Sequence, residues 1–417
     1  MPVNSEDKPR LRMLDAQPID YEGERYLLLR DPLALSEKNL LVPQPYIPTL
    51  GLCDGSRTLQ TLRAALAVRH GLFMTTQRLE DFITALDDAL LLENDHSQQA
   101  RRSAQTEFRK TPFRAAASAG QSYPEDPREL AAYLQTFLDQ HKTGGKGYAS
   151  SPNGHPTIFG LISPHIDYQR GGPVYAKVWG HAAEIVRQAD LAIIFGTDHF
   201  SEGYPLSLTR QSYATPFGVL PTAVDVVDGL AAVIGEEAAF AGELHHRREH
   251  SIELAAVWLH HMRGGKPIEL VPVLTGSIET MVNGQENGAQ VDLEGVLQVL
   301  QSAVGGQRAI IVAAGDLAHV GPAFGGEPAG PLELAALKTA DDELIGAVCS
   351  GDAEGFLGAI RAVNDQNNVC GVSPIYLTLR LLGPLHGQNL GYAICPADQA
   401  NTSVVTVCGV ALQPEEN

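Results

Sequence analysis

The chain has 417 residues, a formal net charge of −19, 44% hydrophobic and 19% charged residues, a size and composition that point to one large folded domain and a smaller one. That charge repels phosphate backbones and anionic lipid, and no long Lys/Arg stripe offsets it, so neither nucleic acid nor a membrane is an expected partner. No apolar run approaches the roughly 20 residues that span a bilayer, and the opening MPVNSEDKPRLRML lacks the apolar core of a signal peptide, so the expected location is the cytoplasm.

In chain order, YLLLRDPLALS is a short apolar run ending in a turn, and CDGSRT punctuates the chain again. The next run carries Leu59, Leu62 and Leu66 at helical spacing and stops at Gly71; a second carries Leu79, Phe82, Ile83, Leu86 and Leu90. Thr58 and Thr75 or Thr76 are the expected N-caps, since a hydroxyl there accepts an otherwise unbonded amide hydrogen. These features predict a small helix-rich module with a strand or wing over residues 1–95, and a polar, Ala/Ser-rich linker over 96–118.

Beyond it, aliphatic strands alternate with helical stretches: TIFGLISPH, a helix over about 175–188, LAIIFGTDH, PIELVPVLTG, a helix over about 293–302, RAIIVAAGDLAH, and finally LGYAICPA and SVVTVCGVAL. Near-continuous aliphatic strands separated by helices predict an α/β domain over 119–413, with a central, mostly parallel or mixed sheet covered by helices. Polar residues just after strand ends in such a sheet line the crevice where ligands bind.

Four motifs occupy such ends. SPHIDYQRGG delivers His165 behind Pro164; IIFGTDHF presents Asp198 and His199; IIVAAGDLAHVG opens Asp316 and His319, which share a face if the chain turns helical there. NNVCGVSPIYLTLRLL places Cys370 before a helical run, where the helix dipole favours the thiolate that binds metal. A fifth segment, HHRREHSIEL, adds Glu249, His250 and Glu253, the two glutamates falling on one helical side if the helix includes both. One histidine after one strand is more often held by hydrogen bonds than by metal, and a lone cysteine is more often a small buried hydrophobe; their joint placement is what argues for a site. The five cysteines are an odd number without CxxC spacing, so no disulfide framework is expected.

Taken in order, PHIDY, GTDH, EHSIE, DLAH and CGVSPI resemble the Memo family, known in prokaryotes as AmmeMemoRadiSam system protein B, and AGQSYPEDPRELAAYLQTFL resembles that family's opening segment. The resemblance implies a fold similar to class III extradiol dioxygenases and a metal held by His165, His199 and Cys370, iron or copper ahead of zinc. It implies Asp316 and His319 in the same cleft, with His319, Asp316 and His250 as the proton-handling candidates. The expected function is that of a redox-active metalloprotein or oxidoreductase acting on a small molecule; a peptide- or partner-binding module beside a radical-SAM protein, or a zinc hydrolase, are the alternatives. Two departures stand out, Asp167 within PHIDY and the AAGD lead into the third motif. The first 95 residues loosely resemble the winged-helix modules related to PqqD.

Overall fold

A computed structural model describes residues 6–141, 158–201, 203–279 and 291–415. The chain divides into two compact units, Met1–Thr111 and Pro112–Asn417.

The first unit opens with three antiparallel strands in the order β1 (Asp15–Tyr21), β2 (Glu24–Arg30) and β3 (Leu40–Pro43). The β1–β2 turn is made by Glu22 and Gly23, both at positive φ (52° and 82°), the backbone twist that two-residue hairpins favour. Four helices follow: α1 (Ile47–Leu52), α2 (Leu59–His70), α3 (Thr76–Asp88) and α4 (Asp95–Lys110). Thr58 and Thr75 cap α2 and α3 as expected, and Gly71 ends α2 in the left-handed conformation. Leu29, Val42, Leu62, Leu66, Ile83 and Leu86 form the core.

The stretch predicted as a linker is mostly helix. Asn94 and Ser97 form a reciprocal capping box that starts α4, and Gln, Ala, Arg and Glu sustain it through intrinsic propensity although it buries only Ser97 and Phe108.

The second unit is the α/β domain. Its main sheet runs β11 (His319–Val320), β13 (Val404–Pro414), β4 (Ile158–Ser163), β10 (Ala309–Ala314), β5 (Leu191–Thr197), β9 (Glu269–Thr275), β6 (Leu206–Leu208), with β12 (Leu385–Pro396) also paired to β13. The four central strands β4, β10, β5 and β9 are mutually parallel, whereas β6, β11, β12 and β13 are added antiparallel. The remaining strands, β7 (Tyr213–Thr215) and β8 (Gly218–Leu220), form a separate hairpin.

Successive side chains of a strand point to opposite faces, so Phe159, Leu161, Ile310 and Val312 enter one core while Ile162, Ile311 and Ala313 enter the other. The first core is closed by α5 (Pro127–Gln140), α6 (Tyr168–His181), α7 (Ala183–Gln188) and α10 (Ser251–Met262). The second is closed by α8 (Val224–Ile234), α11 (Leu293–Val304), α12 (Pro331–Cys349), α13 (Ala353–Ala362) and α14 (Val372–Leu382), with the short α9 (Glu236–Ala239) beside α8. Both faces of the central strands are therefore covered, which is why they read as continuous aliphatic runs.

Helix α6 begins at Tyr168, seven residues before the predicted start, because the Asp167 carboxylate accepts the backbone N–H of Arg170 at 3.1 Å and caps it. Asp167 also pairs with the Arg170 guanidinium at 2.6 Å, so the departure at PHIDY serves the helix start. Among the described residues no helix is long and apolar enough to cross a membrane.

Candidate metal centre

The register of the parallel strands sets the site. Ala314 pairs with Ser163 on one side and with Gly196 on the other, so β4, β10 and β5 end on one line. The residues that follow, His165, Asp316 and His199, emerge from a single sheet edge. Cys370 reaches that edge just ahead of α14, and Gly371 donates its backbone N–H to the Asp316 carbonyl at 2.9 Å. Gly315 and Gly371 cross here without room for a side chain: a Cβ on Gly315 would lie 2.6 Å from the Gly371 Cα.

His165 is almost fully buried. Its Nδ1 meets the Ala314 carbonyl at 2.9 Å, leaving Nε2 3.2 Å from the Cys370 sulfur. Asp316 fixes the backbone, accepting the N–H of His165 at 2.8 Å and of Ile166 at 3.3 Å, and its other oxygen lies 3.7 Å from His165 Nε2. His199 is arranged likewise: Nδ1 lies 3.1 Å from each carboxylate oxygen of Glu249, and a ring nitrogen lies within 4.8 Å of the Cys370 sulfur. A histidine whose Nδ1–H is taken by a carbonyl or carboxylate presents Nε2 in one tautomer and one orientation, the arrangement metal-bound histidines adopt.

Ligand atoms of His165, His199 and Cys370 lie within 4.8 Å of one another, as do those of two further groups, His199/Glu249/His250 and Asp316/His319/Cys370. Ring geometry separates the first two. The His165 and His199 rings stand at 74° with centroids 5.0 Å apart, so their in-plane lone pairs can converge on one point. The His199 and His250 rings are nearly parallel, 11° apart at 5.0 Å, and lone pairs in parallel planes do not meet. In the third group one Asp316 oxygen serves the His165 segment, and His319, whose Nδ1 faces the Leu317 carbonyl at 3.2 Å, is held in the same manner as the other two histidines.

Electrostatics favour a thiolate. Burial by itself would raise the Cys370 thiol, but the neighbouring His165 and His199 bring it down to about 6. Burial would lower His165 and His199, yet Cys370 with Asp316 raises the first and Glu249 with Cys370 raises the second. His250 behaves oppositely: burial takes it down to about 4, against the pull of Glu249 3.2 Å away.

The structure corrects two expectations of local geometry. Residues 316–319 are not helical; His319 begins the short strand β11, so nothing places Asp316 and His319 on a helix face. Glu249 and Glu253 do not share a helix side either, because α10 starts at Ser251 with His250 as its cap. Glu249 turns to His199 and His250, whereas Glu253 is buried in an ion pair with Arg114. Arg114 further donates to the carbonyls of His246 (2.7 Å), Ala115 (2.8 Å) and Glu249 (2.8 Å), and Glu253 accepts the N–H groups of Ala117 and Ser118 and the Tyr123 hydroxyl. This network under Glu249 lay outside the sequence reading; Arg114 sits in a polar stretch with no periodicity to mark it. All five cysteines are free thiols.

Residues 114–410 match the family model described as Memo-like protein. The chain is 24% identical over 318 residues to a MEMO1 family protein of Aquifex aeolicus, covering 76% of this chain and 77% of that one. It is 27% identical over 340 residues to one of Thermus thermophilus (81% and 94% covered), and 30% identical over 231 residues to one of Methanosarcina acetivorans (55% and 75% covered). With a family match over residues 114–410, which contain all five motifs, the chain belongs to the Memo family.

Proposed function

We propose that this protein is a redox-active metalloprotein, an oxidoreductase whose His165, His199 and Cys370 hold one divalent iron or copper ion at the carboxy ends of β4 and β5. The observation that carries the reading is the division of labour on the two imidazoles: each Nδ1 is taken by Ala314 or Glu249, and ligand atoms of both rings lie within 4.8 Å of the Cys370 sulfur. Two imidazoles and a thiolate suit iron, copper or zinc, and three protein donors leave coordination positions free. The preference for iron or copper follows from the Memo resemblance. Such an ion supplies Lewis acidity and one-electron chemistry when bound.

The chain's own residues prepare and serve that position. Glu249 holds His199 in one orientation, and Asp316 holds the His165 backbone. His250, kept neutral by burial and lying over the His199 ring, is a proton acceptor for a molecule at the open side. His319, within reach of Cys370, is the second proton-handling group.

Elemental analysis and an electron paramagnetic resonance spectrum of protein purified without air test this. Stoichiometric iron or copper is expected in the parent and its loss in folded His165→Ala, His199→Ala and Cys370→Ser variants. Retention of metal in all three would remove the site from these residues, and zinc alone would turn the reading to hydrolysis.

A further inference from the structure

Cys370 belongs to a second feature. It forms part of the wall of a cavity of about 640 Å³ that none of His165, His199, His250 or His319 lines. Leu357 and Ile360 of α13, Val372 of α14, Val369 and Ile278 give this cavity an apolar side. Thr197 and Thr275, at the ends of β5 and β9, contribute to its polar side with Ser277 and Ser373.

The polar side carries more oxygen acceptors than donors, its side-chain donors being Arg361, Asn364, Ser277 and Ser373. Thr197 donates its hydroxyl hydrogen to the Cys370 carbonyl at 2.9 Å, and Thr275 donates to the Gly196 carbonyl at 3.0 Å, so each retains only lone pairs for a ligand. Glu279 and Asp365 add carboxylates, whereas the Asp198 carboxylate is fully buried against His245, Ser207 and the Phe200 N–H. Arg361 is the sole cation among the described lining residues, and its Nε–H is given to Glu279 at 2.6 Å. The loop from Asn364 to Cys370, which carries part of this wall, holds Asn364, Asp365 and Asn368 at φ of 48°, 47° and 49°. Three non-glycine residues in the left-handed region within one short loop are uncommon, and such backbone concentrates where geometry is under functional constraint.

From this lining we infer that the cavity is the substrate pocket of the metal centre and takes an organic molecule with an apolar body and a hydrogen-bond-donating head, an amine or alcohol, while rejecting carboxylates. An apolar ligand body lies along Ile278, Leu357, Ile360 and Val372, and its donor head faces the hydroxyl and carboxylate oxygens. A carboxylate head brings a further negative charge beside Glu279 and Asp365, against a single cation that already answers Glu279. The assignment to the metal centre rests on Cys370 being a ligand; the cavity's preference for donors does not.

Three probes sharing one body test it: 2-phenylethylamine, 2-phenylethanol and 3-phenylpropionate, titrated calorimetrically into the full chain with and without metal. Saturable binding of the amine and the alcohol is expected, with the carboxylate at least ten-fold weaker. Ser277 is an exposed residue of the lining; Ser277→Trp should block amine and alcohol without changing metal content or the circular dichroism spectrum. Carboxylate binding as tight as the amine's, no saturable binding of any probe, or amine binding indifferent to Ser277→Trp would overturn the inference. Because metal content is measured separately, probes that bind as expected to a chain that holds no metal would leave the donor preference standing and sink the metal reading alone.

Discussion

Both carboxylate oxygens of Glu249 lie 3.1 Å from Nδ1 of His199, and one of them also accepts the His199 backbone N–H. Ring and backbone of one residue are thus tied to a single buried anion. Replacing it by an amide keeps one acceptor but turns an N–H toward groups that themselves donate. Glu249→Gln should weaken metal affinity by about 10- to 100-fold, the usual cost of losing such a supporting partner. Competition against a chelator of known affinity measures this; unchanged affinity would remove Glu249 from the site's support.

Asp316 supports His165 through the main chain, so its loss should be milder. Asp316→Asn retains an oxygen for the two N–H groups it now serves. Metal stoichiometry at saturation should match the parent, whereas Cys370→Ser should lose metal. Equal losses in the two variants would make Asp316 a ligand.

Arg114 and Glu253 are both fully buried, and each satisfies backbone groups in addition to the other's charge. Removing one partner leaves an uncompensated buried charge, which costs about 3–5 kcal/mol. Arg114→Met and Glu253→Leu should each lower the denaturation free energy of the α/β unit by roughly that amount. The double variant Arg114→Met/Glu253→Leu should lose less than the sum of the single losses, because no lone charge remains. Chemical denaturation of all four proteins checks the cycle.

His246 gives the fold an acid sensitivity of its own. Its Nε2 meets the Ser207 carbonyl at 2.8 Å and its Nδ1 the Tyr213 hydroxyl at 2.5 Å, contacts the neutral ring satisfies by donating from Nε2 and accepting at Nδ1, and burial takes it down to about 3. The unfolded chain binds a proton below about pH 6.5 that the folded chain refuses until about 3. The stability contributed by the neutral ring is therefore complete above pH 6.5 and is lost as pH falls through that window. Metal-free His246→Gln should show a stability-against-pH slope between pH 4 and 6 shallower than the parent's by up to about 1.4 kcal/mol per unit. Parallel slopes would contradict this.

Strand ends were the most legible feature of the sequence. The runs before His165, His199 and Asp316 are aliphatic because both sheet faces are covered, and each gives way to polar residues within three positions of the strand end. That those ends lie level depends on strand register, which pairs Ala314 with both Ser163 and Gly196 and leaves no mark in the sequence. Cys370 was singled out by its place before a helix, yet its meeting with the histidines came from the family resemblance. Helix α4 was unreadable because it buries only Ser97 and Phe108, so its stability lies in capping and propensity, neither of which shows as apolar periodicity. The Glu249/Glu253 pair was misplaced for a related reason: a helix starting two residues later than assumed sends the first carboxylate to a different neighbour.

The crossing of Gly315 and Gly371 brings the chain's end of β10 against the start of α14 at bare backbone distance. Cys370 and Asp316 flank that crossing, so the sulfur's position relative to His165 is set by main-chain packing before any ion arrives. Apoprotein should accordingly be able to fold first and load afterwards, with little reorganisation on loading. The same crossing makes the centre intolerant of growth: a single methyl group at either glycine would push the two segments apart and unmake the thiol's approach to the imidazoles without touching any side chain that binds.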